Sequence, residues 1–227
     1  MKPTSTNLDV KGPGGAAAPD RPGRRERRRM ETREKILRAA LGLFATRGFQ
    51  DTTIEAITEA ADVGKGTFFN YFPSKEHVLA TYGERQRAKI EEAAAVVREG
   101  RRPVRGVLLD MIRALYEEPG KSPEMCRSIF SAVLSSEAVR GMMERNLESG
   151  LSNLAEILAI GQRRGEIRND RAAKELAGAL QRSFSGAMIV WSIRPEAPLA
   201  EQLDASFELF WSGIGAASVG GPKEKRK

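Results

Sequence analysis

Between Thr32 and Leu79 the chain carries two short amphipathic helical patterns, a tight polar turn and a third helix of polar and aromatic side chains. A basic residue then opens a fourth helix. No other stretch constrains the fold as strongly. In the first helix, about Thr32 to Arg47, Ile36, Ala40, Leu43 and Phe44 fall at i, i+4, i+7 and i+8, with Arg33, Glu34, Lys35 and Arg38 off that stripe. Gly48 ends it and Phe49 folds back. Thr52 or Thr53 caps the second helix, whose Ile54, Ile57 and Ala61 face the same small core. Asp62 takes the turn, where tolerance of left-handed geometry is useful, and Val63 plugs the core. Gly64 then caps the third helix.

The third helix, about Lys65 to Tyr71, carries the chemistry of a major-groove reader. Phe68 and Phe72, four apart, point inward, which leaves Lys65, Gly66, Thr67, Phe69, Asn70 and Tyr71 outward. Asn70 can donate to and accept from an adenine edge, Lys65 can reach guanine or phosphate, and Phe69 can pack on a thymine methyl. Gly66 allows close backbone approach. Thr67, Tyr71 and Lys75 suit phosphate oxygens, as do the free N–H groups at the starts of the second helix, at Thr53, and the fourth.

Charge is segregated in the same sense. Net charge is +7, but residues 1–75 hold 14 Lys/Arg against 9 Asp/Glu, residues 76–222 hold 19 against 20, and the tail 223–227 holds 4 against 1. A basic reading end on a near-neutral body is the electrostatic footprint of a phosphate-backbone partner. Residues 1–23, rich in Gly, Pro and Ala, lack a hydrophobic period and are expected to be disordered. Arg21 to Arg29 holds six arginines around Glu26, which reads either as an arm reaching DNA or as a solvated charge run. The single cysteine, Cys126, excludes an intramolecular disulfide framework and reads as a small buried hydrophobe. With no membrane-spanning run and no signal-type stretch, the expected location is cytoplasmic, with no membrane partner.

The rest reads as helix, giving an all-α chain. Pro73-Ser74 starts a helix to about Glu99, followed by helices at about 103–117, 123–135 and 137–164, one capped by Asp170 and running to about Ile193, and one at 199–217. A phosphate-binding loop around Gly64-Lys65-Gly66-Thr67 would need Gly at position 59, which is Glu59, and no strand precedes it. The only histidine, His77, has no nucleophile or metal partner in sequence reach. No catalytic residue, metal or cofactor is expected. A nonspecific, architectural DNA binder remains as a rival, though about 140 residues of apolar-faced helix exceed what charge delivery needs.

Thr53-Ile54, Ile57, Ala60-Ala61, Val63, Lys65-Gly66-Thr67-Phe68, Tyr71-Phe72 and Ser74-Lys75-Glu76 together resemble the TetR (tetracycline-repressor) family of one-component regulators. The chain departs from the family pattern at Thr58, Asp62, Gly64 and Phe69. Gly161 to Asp170 looks like the join before that family's penultimate helix. The resemblance implies an N-terminal three-helix helix-turn-helix DNA-binding domain and a C-terminal helical ligand-binding and dimerisation domain. The expected boundaries are a disordered basic arm over 1–29, the DNA-binding domain over 30–76, the body over 77–218 and a basic tail over 219–227. It also implies a homodimer on double-stranded palindromic operator DNA, with Leu180, Phe184, Trp191, Phe207, Phe210 and Trp211 in the seam. A small-molecule effector, hydrophobic in character, would sit among Met111, Tyr116, Phe130, Val133, Met143, Leu147, Phe184 and Met188. The expected function is a repressor released from its operator by that ligand.

Overall fold

The computed structural model describes residues 23–216. The expectations for disorder at the N-terminus and for the basic tail fall on residues outside that range. Among the described residues the chain is helical, with one isolated antiparallel bridge between Ile167 and Gly215. The order is α1 (Arg24–Arg47), α2 (Ile54–Ala60), α3 (Lys65–Tyr71), α4 (Lys75–Glu99), α5 (Val104–Tyr116), a short 3-10 turn (Pro119–Lys121), α6 (Pro123–Ser135), α7 (Glu137–Arg163), α8 (Ala173–Ile193) and α9 (Leu199–Ile214).

The helix ends follow local chemistry. Gly48, Gly100 and Gly165 have φ of 82°, 77° and 71°, the left-handed region in which a side chain would be strained. The Ser122 hydroxyl accepts from Met125 N, and that of Ser136 from Val139 N, so each satisfies an otherwise free donor in the first turn of α6 and α7. α5 has no such cap. There the Glu166 carboxylate accepts from Val104 N at 2.6 Å, tying the α7–α8 join back onto α5.

Two boundaries differ from expectation. α1 begins at Arg24, so Arg24–Arg29 form its first turns and are not a disordered arm. After Gly23 the segment holds only good helix formers, and Arg27 pairs with Glu31 one turn on. Asp170 does not cap α8, which starts at Ala173 after Ala172. The Asp170 carboxylate is engaged by Arg168, which holds its pKa below the usual range.

Two main apolar clusters form. The first gathers Ile36, Ala40 and Phe44 of α1 with Phe49, Ile57, Ala61, Phe68, Phe72 and Val78, and takes in Ala132 of α6 and Val139 of α7. The second lies between α4, α5, α7, α8 and α9. α4 runs unbroken from one to the other. A division at residues 76 and 77 therefore does not separate two cores, because Val78 and Leu79 still belong to the first.

Candidate functional site

The reading head is built outward from its phenylalanines. Phe68 and Phe72 are fully buried with ring centroids 5.9 Å apart, and Phe44 lies 5.1 Å from Phe49 beside them. With those two residues inward, α3 turns Lys65, Gly66, Phe69 and Asn70 to solvent, while Thr67 and Tyr71 are half-buried. Phe69 is 51% exposed and meets Phe68 edge-on. A Cβ added at Gly66 would meet nothing within 4 Å, so no packing within the chain demands glycine there. Thr53 is the cap of α2, its hydroxyl accepting from Ala56 N, whereas Thr52 is buried and donates to Gly48 O. Asp62 takes φ of 47° in the turn, and Lys35 of α1 reaches it at 3.3 Å. His77 is exposed at the start of α4, its Nδ1 3.0 Å from the Ser74 hydroxyl.

Two lysines behave differently from expectation. The Lys65 ammonium pairs with the Glu55 carboxylate across α2 and α3, and this bond holds the Glu55 pKa below its ordinary value. Lys75 is the larger correction. Its Nζ donates to the carbonyls of Phe49, Gln50 and Thr52 at 2.8, 3.0 and 3.0 Å and lies 4.7 Å from the Phe49 ring centre. An ammonium has three protons, and all three are used here. Lys75 therefore clamps the start of α4 to the loop between α1 and α2 and holds no proton free for phosphate. A shallow groove runs past this clamp, bordered by Gln50, Thr53, Glu55, Lys65 and Phe69.

The body holds a partly open cavity of about 350 Å³. All eight residues expected there, Met111, Tyr116, Phe130, Val133, Met143, Leu147, Phe184 and Met188, are brought together around it. Tyr116 and Phe184 stack with centroids 6.3 Å apart. Burial pushes the Tyr116 phenol up to about 12 and raises that of Tyr82 further, so both keep their protons. The wall that sequence reasoning missed is α4: Tyr82, Gly83, Gln86, Arg87 and Ile90. Tyr82, Gln86 and Ile90 fall at i, i+4 and i+8, a readable stripe that its polar members disguised. Glycines let the facing helix come close. A Cβ at Gly83 would lie 2.4 Å from Asn146 Nδ2, and one at Gly150 would lie 3.1 Å from Ile90 Cδ1.

Residues 36–82 match the family model described as bacterial regulatory proteins, tetR family. The repressor DhaR of Mycobacterium sp. (strain GP1) is 31% identical over 191 residues, covering 79% of this chain and 92% of that protein. The chain belongs to the TetR family. TcmR of Streptomyces glaucescens is 44% identical over 69 residues, and that match spans only 30% of each protein. Against KstR of Rhodococcus jostii, identity is 32% over 111 residues, about half of either length. Among solved structures, the TetR-family repressor FadR of Thermus thermophilus in complex with lauroyl-CoA superposes with a TM-score of 0.59 at 32% identity. That likeness covers 84% of this chain and 98% of FadR. The protein is thus a transcriptional regulator of the helix-turn-helix type.

Four of the six residues expected in a dimer seam lie elsewhere in this TetR-family chain. Leu180, Phe184, Trp191 and Phe207 are all 5% exposed or less within a single protomer and face its own core. Trp191 also donates its indole N–H to Ala197 O at 2.9 Å, anchoring the turn into α9. Phe210 and Trp211 are half-buried, with Trp211 stacked on Phe207. The apolar side chains that α8 and α9 leave exposed are Ile189, Val190, Ile193 and Leu209. The aromatic stripe packs inward because the cavity and the α5–α7 layer lie on that side. Cys126 is buried, donates to Pro119 O and has its thiol pushed up to about 11 by burial, as suits a packing residue. No helix among the described residues is long and apolar enough to cross a membrane.

Proposed function

We propose that this protein is a homodimeric repressor that reads a palindromic operator through α3 and leaves it when a small, largely apolar ligand occupies the body cavity. The observation that carries the reading is the course of α4. Its first residue, Lys75, is bonded to three carbonyls of the reading head, and its residues Tyr82 to Ile90 wall the cavity. One rigid helix thus touches both sites within roughly 10 Å of axial rise from Lys75 to Tyr82. A second connection runs through α6. Ile129 lines the cavity and forms, with Tyr82 and Met125, a small cluster against which Leu41 and Ala45 of α1 pack, and Gln50 Nε2 donates to the Ser135 hydroxyl at 2.5 Å.

In this reading Asn70, Phe69 and Gly66 meet base edges, while Thr53, Thr67 and Tyr71 meet phosphates. Lys65 either keeps Glu55 or exchanges it for DNA. Ile189, Val190, Ile193, Leu209 and Phe210 form the apolar centre of the dimer seam. Two recognition helices related by a twofold axis would then sit about 34 Å apart or at a related spacing. Relatives named as repressors, DhaR and KstR, support repression, and FadR bound to lauroyl-CoA supports an apolar effector. The test is selection of bound sequences from a random duplex pool at physiological salt. A palindrome with two related half-sites is expected. Enrichment of nothing, with binding that simply collapses as salt rises, would favour nonspecific binding.

A further inference from the structure

Gln86 stands in the cavity wall, and its amide has one satisfied end and one that is not. Nε2 donates to the Tyr82 hydroxyl at 2.7 Å and to the carbonyl of Leu115 at 2.6 Å. The second bond fixes the amide orientation, since an amide oxygen that close to a carbonyl would be repelled. Oε1 is therefore the remaining atom, and it is buried with no hydrogen-bond partner. A buried acceptor without a donor is costly, and such atoms are rare enough in folded proteins to need a reason. The Tyr82 hydroxyl accepts from Nε2, so its own proton is not used in that bond.

The remaining lining restricts what can supply the donor. Of the described residues around the cavity, none is Asp, Glu, Lys or His, and the one charged side chain, Arg87, is paired with Glu91 at 3.1 Å. Nothing there would neutralise an ammonium, and the orphan atom would repel a carboxylate. We infer that the effector is an apolar molecule bearing a neutral hydroxyl, phenolic or alcoholic, which donates to Gln86 Oε1 and can accept from Tyr82. This deepens, and rests on, the reading of the cavity as the effector site.

Isothermal titration of the full chain with 4-butylphenol, 4-butylanisole and butylbenzene tests it, because the three share an apolar body and differ only in the polar group. The phenol is expected to bind roughly ten- to a hundredfold tighter than the anisole, the range set by satisfying a buried acceptor. Gln86→Met should abolish that preference while still binding butylbenzene, which shows that the cavity is intact. Should this variant fail to fold, the wild-type series alone decides. Equal affinity for all three would overturn the hydroxyl inference and leave the cavity reading standing, with solvent satisfying Oε1. Binding of none of them would overturn both.

Discussion

The reading head gathers Phe44, Phe49, Phe68 and Phe72 into one cluster with each at most 1% exposed, whereas the body stands Tyr82, Tyr116, Phe130 and Phe184 around a cavity. The same kind of side chain serves opposite ends. In the head it fills volume, so α3 has one position and its outward residues hold a fixed register. In the body it borders a cavity, so rings and methionines can rearrange around a guest. Specific reading needs the first property and response to a ligand needs the second, and α4 is the piece that belongs to both.

The largest expected effect separates the two regions directly. Phe68→Ala should destabilise the protein by about 3–5 kcal/mol and abolish DNA binding, as measured by denaturant unfolding and titration with a selected duplex. Phe184→Ala, at a position that already borders the cavity, should cost clearly less; equal losses would mean that the two cores are packed alike. Lys75→Met comes next. Loss of the clamp should cost about 2–3 kcal/mol of stability and weaken DNA binding, but leave the slope of log K against log salt unchanged. A slope lower by about 0.9 per protomer would instead make Lys75 a phosphate contact.

Smaller effects probe the surface of α3. Asn70→Ala should relax discrimination at one base pair of each half-site by about 1–3 kcal/mol without altering thermal stability, readable by repeating the sequence selection. Gly66→Ala should raise stability by up to about 1 kcal/mol, since alanine favours a helix and a Cβ there meets nothing, yet weaken operator binding. A variant both more stable and equally tight would remove Gly66 from the interface. The least effect belongs to Glu55. Its pKa is lowered by Lys65 in the folded chain, so the pair's contribution is present above the ordinary carboxylate value of 4.5 and is lost as pH falls through the lower folded value. Glu55→Gln should therefore leave stability at neutral pH nearly untouched while freeing Lys65 for phosphate, measured as a slightly steeper salt slope.

Much of the head was legible in the sequence because its short elements leave few alternatives. The α2–α3 turn, the left-handed Asp62, the inward Phe68 and Phe72 and the outward Asn70 all follow from spacing and residue type. The role of Lys75 was not legible. Its ammonium turns back to the α1–α2 loop because three carbonyls converge there, a tertiary arrangement that no local pattern records. The eight cavity residues could be collected from α5 to α8 as apolar and aromatic positions, yet the α4 wall was missed, since Tyr82, Gln86 and Arg87 read as a polar helix face. The expected seam places Leu180, Phe184, Trp191 and Phe207 wrongly for a related reason. An aromatic stripe on α8 shows that one face is buried but not whether by the same chain or by another, and Trp191 and Phe207 turn out to be covered by their own protomer.

The claim that one helix makes the head and the cavity mutually dependent is tested most directly by thermodynamic linkage. Using a cavity ligand such as 4-butylphenol and a duplex from the selection, the affinity of each would be measured alone and in the presence of the other at fixed salt. Ligand should weaken operator binding by some factor, and operator should weaken ligand binding by the same factor. Ligand that binds the free protein and its operator complex equally well would contradict the account.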